Sequence, residues 1–111
     1  MGPSLQSLED QYMLLTQQLP TTLEACTTQA QRDQVTAQYV DSRRNYWNSI
    51  QKAFHDDDPA ILSLVQEMHD EQKKIKETAK QLNNIAQVIN IITDAVTVGI
   101  ALAAKAGLFP S

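Results

Sequence analysis

Residues Ile85–Leu108 read IAQVINIITDAVTVGIALAAKAGL, interrupted by polar side chains only at Gln87, Asn90, Thr93, Asp94, Thr97 and Lys105. Helical residues four apart share a face, so Ala95, Gly99, Ala103 and Gly107 form a ridge of small residues along which another backbone can lie close. The stretch is too apolar to stand alone in water. Asp94 divides it, and the uncharged part after Asp94 falls well short of the roughly 20 residues of a membrane span. A charge held at the centre of such a span costs about 2.5–3.5 kcal/mol. Something must therefore cover this stretch, and the fold depends on what does.

Upstream, the same seam runs back without a slip. From Ile61 through Val65, Met68, Ile75, Leu82 and Ile89 to Val96, Ile100 and Ala103, seam positions recur at steps of four and three, the spacing of a packed helix. Asp58 followed by Pro59 is a strong helix start, because an Asp at the cap accepts the orphan N–H groups and Pro at the first position loses none. His55-Asp56-Asp57-Asp58 therefore reads as a turn, with one predicted helix over 59–106.

The N-terminal half carries a weaker seam. Leu5, Leu8, Tyr12, Leu15 and Leu19 alternate in steps of three and four, which predicts a helix over 4–19. Pro20 lacks a backbone donor and biases Leu19 away from helical angles, and Thr21 with Glu24 fits a capping box. A kink over 19–21 and a second helix over 22–54 follow. That helix is thinly apolar between Gln29 and Gln38. Tyr39, Tyr46, Trp47 and Phe54 then gather where they can lock the turn.

At about 1.5 Å per residue both arms come to roughly 70 Å. Folding at the acidic turn lays the first helix antiparallel beside the apolar C-terminal stretch. The expected fold is all-α: a single domain over 1–111, built as a long antiparallel, coiled-coil-like hairpin with a kinked first arm. A lone hairpin leaves an apolar patch larger than a monomer usually tolerates. The expectation is thus self-association into a four-helix bundle or higher oligomer, with a protein partner or a bilayer as the other covers.

No residue constellation suggests catalysis. The 111 residues carry 9 basic and 13 acidic side chains, a net charge of −4, with no basic stripe for nucleic acid. Cys26, the only cysteine, lies on an apolar stripe with no histidine near it in sequence, so it reads as a small buried residue instead of a nucleophile. His55, Asp57, His69 and Glu71 are the residues from which a metal site would be built, but a bundle carboxylate site needs Glu and His three apart, and Gln66 occupies that position before His69. Neither a metal nor a cofactor is expected. Arg43 and Arg44, with Asp41 and Tyr46, could meet a phosphate or a partner carboxylate, with ion pairs along the helix as the plainer alternative. Trp47 is followed by Asn48 and Ser49, so the Trp-x-Gly turn of small secreted helical-hairpin proteins is absent.

The functional expectation is a non-enzymatic interaction or assembly module, such as a scaffold, chaperone-like or secretion-associated subunit. Its seam would comprise Leu5, Leu8, Tyr12, Leu15, Ile89, Ala95, Val96, Gly99, Ile100, Ala103 and Gly107. The alternative is a membrane-active protein inserting its C-terminal helix. No Sec-type signal is visible at the N-terminus, which implies a cytoplasmic location or export by another route.

Overall fold

The computed structural model describes residues 2–50, 52, 54–78, 80 and 82–106. Among them the chain is all-α, with four helices: α1 Pro3–Ala25, α2 Gln29–Ser49, α3 Pro59–Thr78 and α4 Ile85–Ala104. They form a bundle with extents of 47 × 21 × 18 Å. α1 packs against all three other helices, and so does α4, whereas α2 and α3 do not meet. α1 and α4 thus form the short diagonal, and the link from α2 to α3 passes across one end of the bundle. Each of the two arms anticipated from the sequence is folded once more, so all four helices of the bundle come from one chain.

The breaks fall elsewhere than expected. α1 runs straight through Pro20. Pro20 faces solvent, while Leu19 and Leu23 pack on the core and Thr22 is buried. That burial outweighs the roughly 3 kcal/mol cost of an interior proline. The turn comes at 26–28 instead, where a capping box does form, seven residues after the anticipated one. Thr28 Oγ1 accepts the Gln31 N–H at 3.1 Å, and Gln31 Oε1 accepts the backbone N–H of Thr28 at 3.3 Å and of Thr27 at 2.8 Å.

α2 ends at Ser49, short of residue 54. The acidic turn is where the sequence places it: Asp58 Oδ1 accepts the Ala60 N–H at 2.8 Å, capping α3. Asp56 has a further part, because the Ser4 N–H donates to its Oδ1 at 3.2 Å and the Ser4 hydroxyl donates to the same oxygen. The linker thereby sets a carboxylate against the positive end of α1.

The predicted helix over 59–106 is interrupted between Thr78 and Ile85. Asn83 and Asn84 lie in the gap, and asparagine favours turns because its side chain competes for backbone groups. The interruption resets the helical phase. Ile100, expected on the seam, faces solvent, and the buried face runs through Ile85, Val88, Ile89, Ile92, Ala95, Val96, Gly99 and Leu102.

The core has two apolar clusters. One gathers Leu14, Leu15, Val35, Ile75, Ile92 and Val96; the other gathers Leu8, Tyr46, Ile61, Met68 and Leu102. Between them lies a polar waist, where Gln11 from α1 and Asn45 from α2 meet Gly99 of α4. Gln11 Nε2 donates to the Ala95 carbonyl at 2.8 Å. Gln11 Oε1, Asn45 Nδ2 and Gln72 Oε1 are buried without a hydrogen-bond partner.

Candidate functional surface

The expected interaction seam lies mostly inside the bundle. Leu8, Leu15, Ile89, Ala95, Val96 and Gly99 are buried, and Leu5, Tyr12 and Ala103 are half-buried. Of these residues only Ile100, at 47% exposure, presents itself to solvent. Gly107 lies outside the described residues. The small-residue ridge is filled from within: a Cβ on Gly99 would stand 2.5 Å from Gln11 Oε1 and 3.4 Å from Asn45 Nδ2. The neighbour anticipated for the C-terminal stretch, the first helix running antiparallel, is found. Leu5 and Leu8 cluster with Val98, Leu102 and Ala103.

The candidate nucleophile and metal ligands are placed as follows. Cys26 is buried, its Sγ 3.3 Å from the Thr22 carbonyl, and burial pushes the thiol pKa up, against the opposing charge of Arg32. Among the described residues no three His, Cys, Asp or Glu side chains converge. Glu71 pairs instead with Lys74 at 3.2 Å.

The surface that stands out is on α2. This helix buries Ser42 and Ser49, at 1% and 2% exposure, while Val40 and Trp47 face outward at 39% and 54%. The two faces have different phases. Val35, Tyr39, Ser42, Tyr46 and Ser49 turn inward, and Val40, Arg43, Arg44 and Trp47 occupy positions i, i+3, i+4 and i+7 on the other side. The serines share the inward side with Val35, Tyr39 and Tyr46, and Val40 and Trp47 are left on the outside.

The outer side chains line an open groove of about 480 Å³. Neither guanidinium has an ion-pair or hydrogen-bond partner among the described residues. Trp47 is not the lock on the turn that its place in the sequence suggests. It ends an aromatic row that starts inside: Tyr39 and Tyr12 at 6.0 Å, Tyr12 and Tyr46 at 6.0 Å, then Tyr46 and Trp47 at 5.5 Å. Tyr46 is fixed by its hydroxyl, which donates to Glu9 Oε2 at 2.7 Å. That bond, with burial adding to it, holds the phenol pKa above its ordinary value.

A larger groove of about 600 Å³ runs between α1 and α3, lined among others by Asp10, Met13, His69, Asp70, Lys73 and Lys76. Charges of both signs interleave along it and largely cancel. The α2 groove is lined by charges of one sign only, and its exposed apolar area adjoins both. The sequence held the signal for this face in the 40/43/44/47 spacing; it was masked because Val40 and Trp47 also flank the inward stripe.

Comparison of the chain with protein-family models, with curated proteins and with solved structures finds no match.

Proposed function

We propose that this protein is a non-enzymatic interaction module: a bundle that presents the outer face of α2 to another protein. The observation that carries this reading is the exposed Trp47 beside Arg43 and Arg44, neither of which is used by the fold. Trp and Arg dominate the energetics of protein interfaces, because each combines a large contact area with polar groups that pair well once water is excluded. Tyr46, itself stacked on Tyr12, backs the indole, so Trp47 is held from one side and costs less entropy to immobilise. A scaffold, chaperone-like or secretion-associated subunit fits such a surface, and association of copies through it would make the protein a homo-oligomer.

A photo-crosslinking side chain at Val40 tests the reading against the same side chain at Gln66, an exposed position on α3, which does not touch α2. The Val40 position should trap one discrete partner in the native cell, or a second copy, and Gln66 should not. Equal, diffuse crosslinking from both contradicts the reading.

A second reading rests on α4. Among the described residues it is the one helix long and apolar enough to cross a membrane, with a mean hydropathy of 1.8. Release of α4 would make the protein membrane-active. Flotation with lipid vesicles tests this: a membrane-active protein rises with them, and an interaction module stays at the bottom of the gradient.

A further inference from the structure

We infer that the partner of the α2 face is an acidic protein segment, one apolar side chain flanked by carboxylates. This inference rests on reading that face as a docking surface. Val40 and Trp47 are two helical turns apart, about 10 Å along the axis, and Arg43 and Arg44 lie between them, about 100° apart around the helix. An apolar side chain laid between Val40 and the indole places its neighbours beside the two guanidinium groups. Carboxylates match that geometry, since a guanidinium fork binds them through two parallel hydrogen bonds. A lysine-bearing partner would be attracted by the indole face but repelled by both arginines.

The rest of the molecule narrows the source of those carboxylates. The chain's net charge of −4 repels a polyanion at long range, so a long nucleic acid or an anionic bilayer meets repulsion everywhere but this patch. A short acidic segment meets only the patch. Part of the chain's own acidic stretches is already engaged. Asp56 is bonded to Ser4 and Asp58 caps α3. On α3, Asp70 accepts from Gln66 at 3.2 Å and Glu71 pairs with Lys74. A second copy of this chain, itself carrying a net charge of −4, is repelled as a whole, so the carboxylates come from a different protein.

Trp47 is the only tryptophan in the chain, so its fluorescence reports contact at this face. The probes are three synthetic helical peptides without tryptophan, each presenting one leucine flanked by two glutamates, two glutamines or two lysines. The glutamate peptide should shift Trp47 emission to the blue and shield it from acrylamide. The glutamine peptide should bind about tenfold more weakly, the lysine peptide not at all, and added salt should remove the difference. The double variant R43Q/R44Q keeps the native melting temperature, both side chains being exposed, and should bind the glutamate and glutamine peptides alike. Equal binding of these two peptides by the unaltered protein overturns the acidic partner and leaves the docking face standing. No response to any peptide overturns both. A response to anionic phospholipid vesicles in place of the peptides also overturns the inference.

Discussion

At the scale of single residues, the waist of the bundle is where small changes should register most. Gly99 stands where a Cβ would press on Gln11 Oε1, so Gly99→Ala forces Gln11 to move and strains its bond to the Ala95 carbonyl. Overpacking of this kind costs about 1–3 kcal/mol, against about 1 kcal/mol gained from the better helix former. Net destabilisation by about 1 kcal/mol is expected in urea unfolding. With Gln11→Ala as the background the obstacle is gone, and Gly99→Ala should then stabilise by a similar amount. Tyr46 makes a second prediction. Its pKa is raised above 10.0 in the folded chain, so at high pH the unfolded chain releases the phenol proton first. The stabilisation is complete below about pH 10 and fades as pH climbs through the folded value. Cys26, raised above 9.0, acts in the same direction from a lower starting point. Tyr46→Phe should therefore lower stability at neutral pH and flatten the fall above pH 10, measured by urea titration across pH 8–12.

At the scale of elements, the useful comparison is between signals that are purely local and signals that compete with packing. The start of α3 was legible because Asp58-Pro59 satisfies the backbone by itself, and the structure has that cap. The antiparallel approach of α1 to α4 was expected from matched arm lengths, and it holds although each arm is folded once more. Pro20 misled because its penalty is local while the burial of Leu19, Thr22 and Leu23 is not visible in a propensity. The break between α3 and α4 was hidden by a step-perfect apolar pattern that two asparagines override. These accounts have consequences. Pro20→Ala restores a backbone hydrogen bond and should stabilise by about 2 kcal/mol, after allowing for the lost rigidity of the unfolded chain. Thr28→Ala removes the cap that ends the first turn and should cost about 1 kcal/mol. Thermal melts of both variants check the pair, and the opposite order would show that the helix break lies at Pro20 after all.

At the scale of the whole molecule, the bundle has two apolar clusters separated by a polar waist, with the most apolar helix on the short diagonal. Burying three polar atoms without partners costs stability, and such buried polar residues pay for themselves when they fix one register among several. Gln11, Asn45 and Gly99 meet at one level only when α1, α2 and α4 are correctly aligned. The candidate surface was less legible than the fold. A helix that hides serines and exposes its tryptophan inverts the usual rule, and the inward placement of Ser42 and Ser49 with Val35, Tyr39 and Tyr46 shows which way α2 is turned. The apolar C-terminal stretch, which on sequence alone asks for a second chain, is covered on its main face by α1, α2 and α3 of its own chain. Amide hydrogen exchange along Ile85–Ala104, followed over a wide range of protein concentration, tests this most directly. Slow exchange at Ile89, Ala95, Val96 and Leu102 that is the same at every concentration is the result expected of a helix covered by its own chain. Protection that rises with concentration would show that a second copy supplies the cover.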